Sequence, residues 1–163
     1  MIAIIDYGAG NIFSVKNALD YLGVENKLTA DKNEICAADE IILPGVGAFP
    51  WAMKMLRDSG LVDTIREEAR KKPFLGICLG MQLIFDKGYE FEETDGLRLI
   101  GGKVEKIDRK DMIIPHMGWN ELEINRDCPI LKGLPEHPYV YFVHSYAAVC
   151  DEANVSVYCD YGG

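Results

Sequence analysis

Three short, continuous apolar runs in the first half of the chain each end in a turn, and helix-like segments follow them. The runs are residues 2–6, 39–43 and 74–77, and a weaker one lies at 27–28. Apolar residues recur at helical spacing over residues 12–22, 53–57, 61–71 and 79–85. Continuous apolar strands are typical of a sheet covered on both faces. The alternation therefore predicts an α/β fold, an open and mostly parallel sheet with helices on both faces.

The second half of the chain has a different pattern, in which apolar residues alternate with charged ones over residues 99–107 and 119–125, as in half-exposed strands. Further strands are predicted at residues 139–143 and 155–158. Alternation favours antiparallel pairing, so we expect this half to add antiparallel or mixed strands to the first sheet. No linker, repeat or low-complexity segment interrupts the sequence. We therefore predict a single domain over residues 1–163.

Composition and charge exclude several classes of protein. With 163 residues and a formal net charge of −9, the chain would repel nucleic acid and anionic membrane surfaces. Its five cysteines include no CxxC pair, which argues against a disulfide framework and a zinc site. The apolar start, residues 1–6, is too short for a signal peptide, and no run of about 18 apolar residues could span a membrane. These features predict a soluble protein of the reducing cytoplasm.

The strongest local signal is the cysteine between the strand at 74–77 and the helix at 79–85. Cys78 has a glycine two residues away on each side, Gly76 and Gly80, in the G-x-C-x-G form of a nucleophile elbow. Such a turn holds the nucleophile in a strained backbone conformation. The start of the helix directs amide donors and positive potential toward the sulfur, which favours the reactive thiolate and a nearby oxyanion. A buried structural cysteine is the alternative interpretation.

A glycine-rich turn is expected close to this cysteine. Gly45 and Gly47 follow the strand at 39–43. The carboxyl ends of parallel strands share the edge of a sheet where ligands bind, so this turn and Cys78 should lie at the same edge. Glycine lets backbone amides approach a ligand there.

Histidines occur in two other polar segments. The strand at 139–143 ends in three polar residues, His144, Ser145 and Tyr146. From the residues alone, His144 is a base for Cys78, a ligand-binding residue or a structural one. The segment 115–120 contains His116 and predicts a tight turn that exposes Trp119, a common type of interface anchor.

Five segments match a known family in order. They are residues 6–11 (DYGAGN), 44–47 (PGVG), 76–82 (GICLGMQ), 115–120 (PHMGWN) and 141–146 (YFVHSY). Residues 76–82 resemble the nucleophile motif of class I glutamine amidotransferases, and residues 44–47 resemble their oxyanion loop. Together the five resemble, more narrowly, the glutaminase subunits of imidazole glycerol phosphate synthase, from residue 1 to about 161. This resemblance implies a flavodoxin-like α/β fold.

The resemblance implies that Cys78 attacks the side-chain amide of L-glutamine, forms a thioester and releases ammonia. It places the oxyanion hole at the amides near Gly47 and Leu79. It also implies that a peptide flip in the oxyanion strand, coupled to the synthase, can be needed for activity. It also implies that the following residues hold the glutamine: Gly45, Gly47, Gly80, Gln82, His144, Ser145 and Tyr146. It implies neither a metal nor a cofactor.

The resemblance also implies a partner, the (β/α)8-barrel cyclase subunit of the synthase of histidine biosynthesis. The residues that would lie toward it are Asn11, Met117, Trp119, Asn120 and Tyr141. Ammonia would pass through the barrel to an anionic phosphoribosyl substrate, giving imidazole glycerol phosphate and an aminoimidazole carboxamide ribotide. The glutaminase would then never contact the phosphates, which is consistent with its net charge of −9.

One part of the family's pattern does not occur in this sequence. The family carries its catalytic histidine and glutamate in a His-Pro-Glu motif after the 141–146 segment, whereas here His137 and Pro138 precede that segment and Tyr139 follows them. We therefore expect the chain to be a fragment that lacks its carboxyl-terminal segment. We also expect it to hydrolyse glutamine negligibly alone, because the leaving ammonia needs a proton donor. Hydrolysis that is lost on His144→Ala would contradict this expectation.

Two other hypotheses remain open. A non-catalytic relative could keep the fold as a binding or scaffold protein, although a scaffold has no need of the elbow around Cys78. Another class I amidotransferase, serving pyridoxal phosphate, anthranilate or purine synthesis, would share residues 76–82 but not residues 115–120. Thiol labelling with a glutamine-mimicking chloroketone distinguishes the non-catalytic relative from a glutaminase. Co-purification with a cyclase distinguishes another class I amidotransferase from the synthase subunit.

Overall fold

The computed structural model describes residues 1–109 and 111–162. Lys110 and Gly163, which fall within the predicted domain, lie outside this description. Strands and helices alternate through the first half and strands dominate the second, so the predicted α/β class is confirmed. Within the described ranges, no helix has the length and apolar character needed to cross a bilayer.

Four parallel strands form the first sheet. They are β1 (Ile2–Ile5), β2 (Asn26–Thr29), β3 (Glu40–Gly45) and β4 (Phe74–Cys78), in the order β2-β1-β3-β4. The predicted parallel sheet is confirmed, including the weak strand at 27–28. The register of β3 and β4 sets Gly45 beside Cys78 at the carboxyl edge of the sheet.

Helices connect and flank these strands. They are α1 (Ile12–Tyr21), α2 (Lys32–Ala37), α3 (Phe49–Asp58), α4 (Val62–Glu68) and α5 (Leu79–Gln82). The sequence patterns above do not predict α2, which begins where the Asp31 carboxylate accepts hydrogen bonds from two amides, including that of Glu34. Aspartate followed three residues later by glutamate is a helix-start signal. The helix predicted over 79–85 ends at Gln82, because Phe85 enters the next strand.

The second half forms separate sheets. Its strands are β5 (Phe85–Gly88), β6 (Thr94–Asp95), β7 (Ile100–Lys106), β8 (His116–Glu121), β9 (Glu123–Ile124), β10 (Tyr139–His144), β11 (Tyr146–Cys150) and β12 (Val157–Tyr158). One sheet has four strands in the order β11-β7-β5-β6. Two further sheets are antiparallel pairs, β8 with β10 and β9 with β12. The predicted antiparallel or mixed strands are confirmed, since β7 pairs with β11 in antiparallel fashion and with β5 in parallel fashion. The expectation that they extend the first sheet is wrong, because β5 pairs with β6 and β7 instead.

One hydrophobic cluster joins the first sheet to the second. Leu43 of β3, Phe49 of α3, Val104 of β7 and Leu97, which precedes β7, are almost fully buried in it. Phe49 lies so close to β5 that a Cβ at Gly88 would stand 2.5 Å from its ring. Burying a side chain of this size stabilises a fold by about 1.5–3 kcal/mol. The two halves therefore depend on shared apolar surface.

A buried carboxylate links α4 to α2. Glu68 accepts hydrogen bonds from Lys71 and Lys72, each at 2.8 Å, and its side chain is almost fully buried. Lys72 also donates to the carbonyl oxygens of Cys36 and Ala38, at 2.8 and 2.7 Å. The hydrogen bonds from Lys71 and then Lys72 lower the pKa of Glu68 from 4.5 to about 2. Folding is therefore coupled to the charged form of this carboxylate.

We expect Glu68→Gln to lower the melting temperature at neutral pH and to flatten the acid side of the stability profile. A carboxylate whose folded pKa is depressed stabilises the fold above its ordinary pKa of 4.5 and loses that contribution as the pH falls towards 2. Thermal unfolding followed by circular dichroism between pH 2 and pH 7 measures the effect. Glu67→Gln, at the exposed neighbouring position, is the control. Equal pH profiles for the two variants would contradict the coupling.

Candidate active site

Cys78 lies at a sharp turn between β4 and α5. Its backbone has φ +56° and ψ −121°, a conformation that costs about 1–3 kcal/mol for a residue with a side chain. The strained turn predicted from the G-x-C-x-G pattern is therefore present. The residue is exposed, so the turn leaves its thiol accessible at the carboxyl edge of the first sheet.

Close packing around this turn explains both flanking glycines. A Cβ at Gly76 would stand 2.6 Å from the Cα of Met81, and a Cβ at Gly80 would stand 1.9 Å from the carbonyl oxygen of Leu43. A Cβ at Gly45 would stand 2.5 Å from the amide nitrogen of Gly80. The obstructing atoms belong to the backbone, which does not move aside as a flexible side chain does. The spacing of the glycines thus lets α5 pack directly on β3 and β4.

The turn after β3 is anchored by a buried tyrosine. The hydroxyl of Tyr7 donates a hydrogen bond to the carbonyl oxygen of Pro44 at 3.0 Å, and burial raises the pKa of Tyr7 to about 12. Val46 and Gly47 follow, and Gly47 has φ +95° with open space where a Cβ would lie. Its backbone conformation, and not crowding, therefore requires glycine at this position.

A cavity of about 360 Å³ opens at this edge of the sheet. It is lined by Val46, Gly47, Cys78, Leu79, Gln82, Glu90, Pro115, Val143, His144, Ser145 and Tyr146. The lining thus unites the predicted nucleophile, the predicted oxyanion residues and most of the predicted glutamine-binding residues. Gly45 and Gly80 lie behind it, where they allow the backbones to approach. A volume in this range suits a small molecule.

One charged residue of the lining is not marked by any sequence pattern. Glu90 lies in the turn after β5, and its carboxylate accepts a hydrogen bond from the amide of Phe49 at 2.8 Å. In the sequence it is followed by further glutamates and resembles an ordinary acidic turn.

Over the described part of the chain, no group of three or more histidine, cysteine, aspartate or glutamate residues could hold a metal ion.

Gln82 and His144 meet at one carbonyl oxygen. Nε2 of Gln82 donates to the carbonyl oxygen of Tyr146 at 2.9 Å, and Nδ1 of His144 lies 3.0 Å from the same oxygen. These bonds tie α5 to the start of β11 and form one wall of the cavity. Nε2 of His144 lies 3.1 Å from Nδ1 of His116. Both ring nitrogens of His144 thus have partners other than Cys78, which disfavours His144 as its base.

His116 is a buried histidine, with 2% of its surface exposed. Its Nδ1 lies 3.1 Å from Nε2 of His144, and its Nε2 lies 2.8 Å from Oδ1 of Asn120. Its ring stacks on those of Phe142 and Tyr161, with centroid distances of 4.5 and 3.7 Å. The tight turn predicted around this histidine is wrong, because His116 begins β8, which pairs with β10 and sets the two histidines opposite each other.

The opposite face of the β8–β10 pair is apolar and exposed. Met117 and Trp119 of β8 lie opposite Val143 and Tyr141 of β10, and each of the four is more than half exposed. Val143, next to His144, also borders the cavity. The rings of Trp119 and Tyr141 are 5.7 Å apart in an edge-to-face arrangement. The structure thus brings three of the predicted interface residues onto one surface.

The two other predicted interface residues lie apart from this surface. The side chain of Asn120 is on the inner face of the strand pair, where it meets His116. Asn11 precedes α1 and is exposed, and its side chain accepts a hydrogen bond from the amide of Ser14 at 3.4 Å. Asn11 thus caps a helix and Asn120 orients a histidine.

Relatives with known descriptions cover nearly the whole chain. A family model described as "Glutamine amidotransferase class-I" matches residues 3–162. The chain is 50% identical to the imidazole glycerol phosphate synthase subunit HisH of Bacillus cereus (strain G9842), over 99% of this chain and 78% of the relative. It is also 50% identical to the subunit of that description from Listeria monocytogenes serotype 4b (strain CLIP80459), over 95% of this chain and 75% of the relative.

Solved structures of low sequence identity have the same fold. A crystal structure described as a glutamine amidotransferase aligns with a TM-score of 0.73 and 20% identity, over 96% of this chain and 79% of that one. The structure of PurLQS from Thermotoga maritima aligns with a TM-score of 0.69 and 21% identity, over 97% and 73%. The strained cysteine turn, the shared fold and the family match over almost every residue lead to one conclusion: the chain belongs to the class I glutamine amidotransferases.

Proposed function

We propose that this chain is the glutamine-hydrolysing subunit of an imidazole glycerol phosphate synthase, with Cys78 as its nucleophile. The observation that carries the proposal is the placement of Cys78, at a strained turn on the wall of a cavity of about 360 Å³. The descriptions of the relatives support the choice of synthase. Selective capture of Cys78 by a glutamine-mimicking chloroketone tests the chemistry, and complex formation with a (β/α)8 cyclase tests the partner.

In the proposed reaction, the thiolate of Cys78 attacks the side-chain carbonyl carbon of L-glutamine. The carbonyl π bond opens to a tetrahedral oxyanion, which backbone amides at Gly47 and Leu79 stabilise. The intermediate collapses to a thioester and expels ammonia once the amide nitrogen has gained a proton. Water then attacks the thioester and releases glutamate. The cavity lining supports this assignment, since these residues share it with Gln82.

Proton transfer to the leaving nitrogen is the step that this sequence does not provide for. The His-Pro-Glu motif that supplies the base in the related glutaminases does not occur in the 163 residues. His144 does not replace it, because both of its ring nitrogens have other partners. We therefore propose that the 163-residue chain alone binds glutamine and presents the nucleophile, but hydrolyses glutamine negligibly.

The exposed apolar face of β8 and β10 is the proposed docking surface for the cyclase. Aromatic residues such as Trp119 and Tyr141 are enriched at the centres of protein interfaces, and contiguous exposed apolar surface commonly marks a binding site. The inner face of the same strand pair carries His144 on the cavity wall. Ammonia released at Cys78 would then pass a short distance to the barrel, where the cyclase makes imidazole glycerol phosphate and an aminoimidazole carboxamide ribotide.

We expect Trp119→Ala to weaken binding of the cyclase by about 2 kcal/mol, roughly 30-fold, because a large exposed aromatic at an interface is a typical hot spot. Trp51→Ala is the matched control, since Trp51 is similarly exposed, 65% against 69%, but lies on α3. Calorimetric titration of each variant with a purified (β/α)8 cyclase measures the difference. Equal affinities for the two variants would place the docking surface elsewhere. A lack of binding by the unchanged chain would favour another class I amidotransferase.

A further inference from the structure

The segment of residues 6–11 packs against the turn after β3 and meets it at Pro44. The hydroxyl of Tyr7 donates a hydrogen bond to the carbonyl oxygen of Pro44 at 3.0 Å. A Cβ at Gly10 would stand 3.2 Å from the Cβ of Pro44 and 3.3 Å from its carbonyl carbon. One segment therefore holds Pro44 at two points, once by a hydrogen bond and once by close packing.

The hydroxyl of Tyr7 acts where the backbone pairing of β1 ends. The register of β1 with β3 extends to Ile42, whereas that of β4 with β3 extends to Gly45. Pro44 thus lies in the part of β3 that continues past β1, just before the turn to Gly47. On this side of β3, the Tyr7 hydroxyl supplies a hydrogen bond of the kind that a neighbouring strand supplies elsewhere in a sheet.

We propose that Tyr7 is a positioning residue for the reaction at Cys78. Its hydroxyl fixes the carbonyl group of Pro44, and thereby the place of the Gly47 amide relative to the sulfur of Cys78. This role rests on the proposed function, in which that amide stabilises the oxyanion. Tyr7 is not among the residues that line the cavity, so it acts through the turn and not by contact with glutamine.

The surroundings of Tyr7 hold its hydroxyl at one point. Tyr7 is 5% exposed and belongs to the hydrophobic cluster, and a close-packed interior leaves a ring little freedom. The amide of Asp6, the preceding residue, donates to the carbonyl oxygen of Thr29 at 3.0 Å. Burial raises the pKa of Tyr7 to about 12, so at neutral pH the hydroxyl keeps its hydrogen and donates it.

The residues after Pro44 have fewer constraints. Gly45 still packs against α5, with its Cβ position 2.5 Å from the amide nitrogen of Gly80, but Val46 is 52% exposed and Gly47 has open space where a Cβ would lie. Hydrogen bonds weaken steeply as their angle and distance depart from the optimum. A small displacement of the Pro44 carbonyl is therefore enough to misalign the amide of Gly47.

Hydrogen exchange of the backbone amides at residues 45–47 tests the anchor without any glutamine analogue. Tyr7→Phe removes the hydroxyl and keeps the ring, and we expect these amides to exchange about tenfold faster because one hydrogen bond is lost. Ser59→Ala is the matched control. The Ser59 hydroxyl also donates to a carbonyl oxygen, that of Leu56 at 2.8 Å, but it lies at the end of α3. Mass spectrometry of peptide fragments measures the exchange rates.

A comparison of two thiol reagents tests the role in the reaction. The first is a chloroketone with a chloromethyl group in place of the amide nitrogen of L-glutamine. The thiolate of Cys78 adds to its ketone carbon and the π electrons form an oxyanion; the sulfur then moves to the neighbouring carbon, chloride leaves and the ketone is restored. The second, iodoacetamide, alkylates the same sulfur by direct displacement of iodide, and no oxyanion forms.

We expect Tyr7→Phe to slow capture of Cys78 by saturating chloroketone about tenfold to thirtyfold. Outright loss of one oxyanion donor costs about 10²–10³-fold, and here the donor is displaced and not removed. The half-saturating concentration of chloroketone and the rate with iodoacetamide should each change less than about twofold, because neither depends on the oxyanion. Ser59→Ala should leave all three quantities unchanged.

The outcomes distinguish this proposal from the function on which it rests. An unchanged capture rate in folded Tyr7→Phe would overturn the proposal, and so would equal slowing with both reagents, which indicates a general change of access. A Tyr7→Phe chain that does not fold would also overturn it, because the hydroxyl would then serve the fold. If the chloroketone captures Cys78 of the unchanged chain, each of these results leaves the glutaminase assignment intact. If it does not, while iodoacetamide still reacts, both are rejected.

Discussion

Cys78→Ser is expected to abolish covalent capture of the protein by a glutamine-mimicking chloroketone, a loss of at least about 10³-fold in rate. Serine suits the same turn, with its φ of +56°, but its hydroxyl is a weak nucleophile without an adjacent base. In the unchanged chain the reagent should label Cys78 much faster than iodoacetamide does, because the cavity holds the glutamine-like part beside the sulfur. Intact mass and peptide mapping give both rates.

A second exposed cysteine provides the matched control. Cys36 lies on α2 and does not line the cavity, so Cys36→Ser should leave capture unchanged. Excess L-glutamine should slow capture at Cys78 and leave alkylation at Cys36 unaffected. If Cys78 reacts no faster with the chloroketone than with iodoacetamide, the cavity does not bind glutamine. The non-catalytic binding relative would then be the better hypothesis.

Gly80→Ala is expected to destabilise the fold by more than about 3 kcal/mol, because the added methyl group has no space. Its Cβ would stand 1.9 Å from the carbonyl oxygen of Leu43, an atom of the central strand β3. Relief would require α5 to move off the sheet, and Cys78 would move with it. Urea unfolding followed by circular dichroism measures the free energy of unfolding.

Gly101→Ala is the matched control for this substitution. Gly101 lies in β7, and the nearest atom to its added Cβ, an oxygen of Asp86, would be 3.9 Å away. Alanine should therefore change the free energy of unfolding there by no more than about 1 kcal/mol. If Gly80→Ala proved as stable as Gly101→Ala, the close approach of α5 to β3 would not be required for folding.

The parallel sheet could be predicted because its signals are local. The apolar runs at 2–6, 39–43 and 74–77 each coincide with an observed strand, and their first and last residues agree with those of the strand to within two residues. The turn at Cys78 could be predicted for the same reason, since its glycines stand at fixed spacing beside it. The start of α2 was also marked locally, by Asp31, but its six residues are too few to show a helical period.

Contacts between distant segments could not be predicted from such patterns. His116 meets His144 because β8 and β10 pair in one particular register, and strand pairing depends on tertiary packing more than on propensity. Glu90 reaches the cavity only through the path of the turn after β5. The apolar residues over 79–85 have the spacing of a single helix, so the pattern does not indicate that α5 ends and β5 begins within this segment.

The pairing of β8 with β10 makes two surfaces depend on a single alignment. Because side chains alternate along a strand, a slip of one residue in one strand exchanges its faces. Such a slip in β8 would turn His116 to solvent and Trp119 toward the cavity, and a slip in β10 would do the same to His144 and Tyr141. Chain length can therefore vary in the connection at 125–138, whereas a single insertion or deletion inside either strand would remove the histidine pair and the apolar surface together.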